Sequence, residues 1–347
     1  MENITYILGA GFSALAGLPI MSNFITKAKD IYYSDKSKFG HFKQIFDSMD
    51  EMSKIKNYFL SDLLNIEELF SIYDMESTLS QKRKSKTFST FIIDVIKHYS
   101  YELKDIRHEH PANWEDFIFG IDETHRNISS FVASIFMLEF YQNPAVSREK
   151  SFMTKRMESK IHYSIVSLNY DSLLEIALQS INDNYNSNNV FEKNSYIPDW
   201  SIPMLYKLHG DVENGTIIPP TWSKSISTEM INTWKNAYEL VRTSTQIRFL
   251  GYSLPASDTY FQYFLKAAIK NNPYLKNIDI LCLDQNRQVE DRYRKIFNFR
   301  DFRFKNINLR QYCNDLWKRE FLISNIPQNI RCDKLETVHD KVMQIQD

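Results

Sequence analysis

The sequence predicts an α/β protein: a parallel sheet with helices on both faces, interrupted by a large, mostly helical insertion. Three observations carry that prediction. A short apolar run, ITYIL (4–8), passes through Gly9-Ala10-Gly11 into a helical pattern. After Ile161, short apolar runs alternate with helical periodicities, as in a sheet covered on both faces. Between these regions the chain almost lacks helix breakers: from Pro19 to Pro111 there is no proline, and Gly40 is the only glycine.

Taken in order, residues 4–8 read as a buried strand and the helix after it starts near Ser13. Residues 25–159 form the insertion. Within NIEELFSIYDMESTL, Ile66, Leu69, Phe70, Tyr73 and Leu79 fall roughly on one helical face. FSTFIIDVIKHYSYEL (88–103) and RNISSFVASIFMLEFY (126–141) also read as helices. Strands are then expected at HYSIVSL (162–168), PMLYKL (203–208), TIIP (216–219), QIRFLG (246–251) and IDILCL (278–283), with helices between them. The Asn-rich stretch 182–189 reads as a loop, and QKRKSK (81–86) as a solvated one. Residues 305–347 form a tail of one or two helices that caps the fold or binds a partner. The sheet unit thus comprises 1–24 plus 160–304.

Composition excludes several classes. With 42 basic and 43 acidic residues the net charge is −1, which offers no surface for nucleic acid or membrane. The three cysteines are dispersed, so no zinc knuckle or disulfide framework is supported and no metal is expected. The opening MENITYILG lacks a basic leader and cleavage site, and no run of 18 apolar residues occurs. A reduced, cytoplasmic protein is expected.

The candidate site lies at the strand exits, where open α/β sheets bind ligands. Three of the 8 glycines, Gly9, Gly11 and Gly17, crowd into YILGAGFSALAGLP. A strand turning straight into a helix leaves N-terminal amides that favour an anion, and a Cβ at Gly9 or Gly11 would hinder the turn or hold a pyrophosphate away. Ser13 adds a hydroxyl there. A tight turn without ligand is the plainer reading. GAGFSA fits the GxGxxA dinucleotide fingerprint, but Asp30, at the distance where an acidic strand end is expected, sits in a helical pattern. The GxxxxGK[ST] loop is absent from this stretch. An ordinary dehydrogenase and a phosphate-loop ATPase are therefore disfavoured.

At the other exits, SLNYD places Asn169 and Asp171 two residues apart, able to point the same way along extended backbone; Asp171 alone would also serve as a helix N-cap. KLHGD places His209 beside Gly210, which allows close approach, with Asp211 either orienting the imidazole or starting a turn. FLGYSLPASD supplies Gly251 and Ser253, then Ser257 as an N-cap with Asp258 in the first helical turn. LCLDQN ends in Asp284, whose carboxylate suits ribose hydroxyls.

Taken together, GAGFSALAGLP, SLNYD, KLHGD, IIPPTW and FLGYSLPASD resemble the sirtuin-like family, in particular its bacterial NAD-consuming branch. The likeness spans roughly 1–24 and 160–300; NIEELFS also resembles a segment of that branch. It implies a Rossmann-like fold with NAD as substrate and no bound cofactor. Gly9, Ala10, Gly11, Phe12 and Ser13 match the phosphate loop, and Pro19 closes the same matching stretch. Asn169 and Asp171 match the pair beside nicotinamide and its ribose, and His209 matches the catalytic histidine. Gly251, Ser253 and Asp284 lie where the adenosine half is held. Protein deacylases of the family carry a four-cysteine zinc module and a Phe-Arg pair; GLPIMSNF lacks the Arg, and no cysteine cluster exists. The resemblance therefore implies an NAD hydrolase of antiphage defence, kept inactive until triggered. A homo-oligomer and a HerA-like ATPase partner are implied with it. An NAD-dependent deacylase, an NAD or ADP-ribose sensor without turnover, and a scaffold with a dead pocket are the alternatives.

Overall fold

The computed structural model describes residues 1–54, 65–80, 85–100, 118–120, 122–142, 152–185, 187–197, 202–218, 230–318 and 329–344. Its first strand, β1 (Glu2–Leu8), is followed at once by α1 (Ala10–Ser13). Then come α2 (Phe24–Ser34), α3 (Phe42–Met52), α4 (Ile66–Ser80), α5 (Ser85–Tyr99), α6 (Glu123–Ile135), β2 (Leu138–Gln142) and β3 (Phe152–Arg156). The chain continues through β4 (Ile161–Ser167), α7 (Leu173–Tyr185), β5 (Leu205–Lys207) and a hairpin of β6 (Gly210–Asp211) and β7 (Thr216–Ile217). It ends with α8 (Ile231–Thr243), β8 (Gln246–Leu250), α9 (Thr259–Lys270), β9 (Asn277–Cys282), α10 (Gln288–Ile296), β10 (Phe302–Asn306), α11 (Leu309–Trp317), β11 (Asn329–Arg331) and α12 (Leu335–Gln344).

Six strands form one sheet in the order β10-β9-β8-β1-β4-β5, and every neighbouring pair is parallel. This is the doubly wound, Rossmann-like arrangement: the chain builds outward from β1 through β4 and β5, then crosses back to β8 and builds the other way. The crossing point lies beside β1, whose Tyr6 pairs with Ile165 on one side and Arg248 on the other. Both faces are covered, so β1 reads as an almost continuous apolar run. Ile4, Tyr6 and Leu8 enter one core with the insertion helices, and Ile7 enters the other with residues of α8, α9 and α10.

Several expected boundaries move. The first helix starts at Ala10, runs one turn into a short 3-10 segment, and stops at Gly17 in the left-handed region (φ 78°). The helix expected over 126–141 ends at Ile135; Met137 takes a positive φ of 51° and the chain turns into β2. The insertion thus contains strands as well as helices: β2 pairs antiparallel with β3 and with β11 of the tail. Thr216–Ile217 is a hairpin arm, outside the parallel sheet, and the Asn-rich stretch begins inside α7. The edge strand β10 was not expected from a search for apolar runs; FRFKN instead alternates apolar and basic residues, the pattern of a half-exposed strand. Residues 81–84 of the basic run and 219–222 of IIPPTW lie outside the described residues.

The tail caps the sheet through ionic contacts. Arg248, fully buried on β8, meets Glu336 of α12 with two bonds of 2.8 and 2.6 Å and donates to the Tyr6 hydroxyl at 2.9 Å. Asp279 on β9 accepts from Arg303 and, at 2.9 Å, bonds His339 of α12. Burial works against the Asp279 charge, yet those hydrogen bonds hold its carboxyl at about 2, and burial pushes the His339 imidazole below its usual range. Burial likewise depresses His125, on α6, to about 4. No described helix is long and apolar enough to cross a membrane.

Two outcomes follow from these positions. Gly251 has φ 65°, and a Cβ there would sit 2.5 Å from the Phe12 amide nitrogen, so Gly251→Ala should cost about 3 kcal/mol or more. Gly17 has φ 78° but open space, so Gly17→Ala should cost about 1 kcal/mol; urea denaturation of both measures the difference. The depressed histidines are neutral when folded and protonate more readily when unfolded. Stability is therefore full above pH 6.5 and falls as pH drops below it, by on the order of 3 kcal/mol between pH 6.5 and 4 from His125 alone. A His125→Gln variant should flatten that slope in denaturation curves taken across the range.

Candidate active site

The exits of β1 and β8 press against each other backbone to backbone. The Gly9 amide donates to the Leu250 carbonyl (3.0 Å), the Gly11 amide to the Gly251 carbonyl (2.9 Å), and the Phe12 amide to the Gly9 carbonyl (2.9 Å). A Cβ on Gly9 would lie 2.5 Å from the Tyr252 Cα, and one on Gly11 2.8 Å from the Gly251 Cα. These glycines are therefore demanded by the neighbouring turn, and three amides expected to face an anion already have acceptors inside the protein. Ala10 is the exposed residue of the turn, Gly11 is partly exposed, and Phe12 and Pro19 are buried.

Beside this crossing, the exit of β4 brings two predicted residues onto one hydroxyl. The Asn169 amide group donates to the Gly9 carbonyl (2.9 Å) and to Ser13 Oγ (2.8 Å), and Ser13 Oγ donates to Asp171 Oδ2 (2.5 Å). Asn169 and Asp171 thus point to the same place, and they are joined to the glycine turn through Ser13. Asp171 also accepts from the Leu173 amide at 3.2 Å, so capping and site geometry coexist in one carboxylate. Burial pushes the Asp171 carboxyl above its ordinary range; Ser13, the charge of Lys207 and the Leu173 amide pull the other way. A cavity of about 10 Å³, room for about one water, lies among Ser13, Ser167, Asn169, Asp171, Glu175 and Lys207.

His209 sits one strand further along, buried to the same degree as Asp171. Its Nδ1 lies 2.9 Å from the Leu168 carbonyl. A carbonyl only accepts, so Nδ1 carries the proton and Nε2 is the basic nitrogen of the neutral ring. Asp211 does not orient His209. Its carboxylate accepts from Lys207 Nζ, from Ser172 Oγ (3.1 Å) and from the Glu213 amide (2.7 Å), which makes it a turn starter. Gly210 serves the hairpin: at φ 87°, a Cβ would lie 2.0 Å from the Thr216 carbonyl oxygen.

Residues of the expected adenosine side also serve local structure. Asp284 Oδ2 accepts from the Val289 and Glu290 amides (3.0 and 2.9 Å) and so caps α10. The Ser253 carbonyl accepts from Arg292 Nε at 3.0 Å. The α9 N-cap is Asp258 rather than Ser257, one residue later than expected: Asp258 accepts from the Phe261 amide and from the Tyr252 hydroxyl, while Ser257 bonds Glu67 of α4. That last contact brings NIEELFS onto the β8 exit. Lys207 and the Ser13 link had no signature of their own in the sequence. Lys207 is one of many lysines, and only the parallel pairing of β1, β4 and β5 shows what it touches.

A doubly wound sheet with polar side chains gathered at the crossing point has the form of a nucleotide-binding fold. Residues 163–309 match the model of the SIR2-like domain, from within β4 to the start of α11. That match supports a sirtuin-like family and, with it, an NAD-related activity. No curated protein matches the chain significantly.

Because Ser13 satisfies both Asn169 and the buried Asp171, Ser13→Ala should cost about 1.5–3 kcal/mol at pH 7, the range for a hydrogen bond to a charged group. Urea denaturation at pH 7 measures it, and a loss under about 0.5 kcal/mol would show that the hydroxyl is dispensable.

Proposed function

We propose that this chain is an NAD glycohydrolase that cleaves the nicotinamide–ribose bond to give nicotinamide and ADP-ribose. The observation that carries the reading is that Asn169 and Asp171, at the exit of β4, meet on Ser13 of the β1 turn, while His209, at the adjacent exit of β5, bonds the Leu168 carbonyl of the same loop. A pure binding site does not need a carboxamide, a carboxylate and a histidine with a fixed tautomer.

Cleavage builds positive charge on the ribose ring, while nicotinamide leaves neutral with the bonding electron pair, so no general acid is needed. Asn169 positions the ribose hydroxyls or the attacking water. The buried Asp171 holds the carboxamide or stabilises the cation. His209 Nε2 takes a proton from a ribose hydroxyl or from the water as its oxygen bonds the anomeric carbon. The pyrophosphate runs past Ala10 and Gly11, the exposed part of the turn, while Phe12 and Pro19 shape it from beneath. The adenosine half extends toward Gly251, Ser253 and Asp284. The missing Arg and cysteine cluster speak against an acyl-peptide groove.

An enzyme that destroys NAD harms its host, so the reading extends to a triggered, cytoplasmic antiphage effector. Control then comes through contacts between copies or through an ATPase partner of the HerA-like kind.

Purified protein is incubated with NAD, with and without candidate partners, and the products are separated by chromatography. Nicotinamide and ADP-ribose should appear; binding without turnover would favour the sensor instead. Asn169→Ala and His209→Ala should each lower turnover at least ~100-fold. Near-normal hydrolysis by either variant would overturn its assigned role.

A further inference from the structure

Lys207 ends β5, two residues before His209, and its side chain is only 9% exposed. Its ammonium carries three hydrogens. They meet the Asp171 carbonyl (2.5 Å), the Tyr170 carbonyl (3.4 Å) and the Asp211 carboxylate. Glu175 of α7 lies 3.8 Å away. Two of these acceptors belong to the loop that presents Asn169 and Asp171; the third belongs to the hairpin that begins at His209.

Other bonds cross the same seam. The Val212 amide donates to the Tyr170 carbonyl (3.0 Å), and the Tyr170 hydroxyl to the Ile218 carbonyl (2.8 Å). Ser172 Oγ donates to Asp211. Lys207 is the cation bonded to both segments, and it sits where they diverge; Lys193 pairs with Glu175 at 2.9 Å and touches neither segment in the described contacts.

We propose that Lys207 is a positioning residue that clamps the 168–172 loop to the 209–217 hairpin and so fixes Asn169 and Asp171 relative to His209. The inference rests on the proposed NAD cleavage for its meaning, though its geometry stands without it. Lys207 is not placed to attack or protonate anything. Its charge is matched by Asp211, whose carboxyl stays below its ordinary range despite burial because Lys207 is beside it. A bare cation so near the reaction would oppose charge developing on the sugar; the ion pair removes that penalty. The same ammonium favours the ionised form of Asp171 against burial, in a neighbourhood that also holds Ser13 from α1, Glu175 from α7 and Asp211 from the hairpin. Losing Lys207 raises the Asp171 carboxyl further.

Two readouts test this, one with and one without activity. By hydrogen exchange, peptides covering 168–172 and 209–217 should exchange at least ~10-fold faster in Lys207→Met than in wild type, with the rest of the sheet unchanged. Equal exchange overturns the proposal whether or not the protein turns over NAD. In turnover, Lys207→Met should lower kcat at least ~30-fold per folded molecule with KM within about threefold, and move the acid limb of the kcat profile to higher pH by at least ~0.5 unit. Lys207→Arg keeps the charge but not the three-acceptor geometry; it should keep the acid limb in place while kcat still falls about 10-fold. If both variants lose only thermal stability, with kcat per folded molecule and pH profile unchanged, Lys207 is merely structural and the proposal fails. Wild-type protein that leaves NAD intact overturns the functional reading instead, and the exchange result still decides the clamp.

Discussion

Everything at the candidate site depends on two backbone turns meeting without side chains between them. Gly9 and Gly11 at the end of β1 and Gly251 at the end of β8 approach so closely that any Cβ would strike main-chain atoms. Side chains can shift to relieve a contact; backbone cannot do so without dragging a strand. The register of β1 against β8 and the position of Ser13 follow from this one approach, and Ser13 in turn receives Asn169 and Asp171. The glycines are thus a property of the frame first. Any ligand meets a surface that their absence of side chains has already drawn tight.

Built on that frame is a run of buried polar groups, each satisfied by the next. Asn169 donates to Ser13, Ser13 to Asp171, and the Asp171 carbonyl accepts from Lys207, which is paired with Asp211. Burial makes the Asp171 charge expensive, and the neighbouring donors offset part of that cost. Such a network is costly to half-remove, which is why its members behave as a unit. It also explains how the Asp171 carboxylate can join this network and serve as a helix cap: the Leu173 amide and Ser13 take different oxygens.

Much of this was legible in the sequence because the relevant physics is local. The apolar strands and the helices between them show their periods directly, and the polar residues at strand exits stand out against apolar runs. Asn169 and Asp171 are two apart and needed only one turn to converge. What stayed hidden is non-local. Gly210 reads as room for a ligand until the hairpin carbonyl of Thr216 is seen beneath it. Asp284 reads as a ribose ligand, and nothing in LCLDQN shows that one of its oxygens also caps α10; Asp211 reads as a partner for His209 until Lys207 is seen to hold it. In each case the local sequence allowed two uses, and only tertiary packing shows what the residue meets in the folded chain. The tail was hardest of all, since nothing in LETVHDKVMQ announces that Glu336 and His339 will meet Arg248 and Asp279 under the sheet.

That last seam has a consequence for how the chain matures. Arg248 lies on a central strand, and the carboxylate that neutralises it follows 88 residues later. Until those residues are made, the Arg248 guanidinium has the Tyr6 hydroxyl and the Gln246 side chain but no carboxylate, which disfavours its burial. The seam between β8 and α12 therefore forms only after α12 has been made, and a chain cut short before Glu336 leaves Arg248 without its carboxylate.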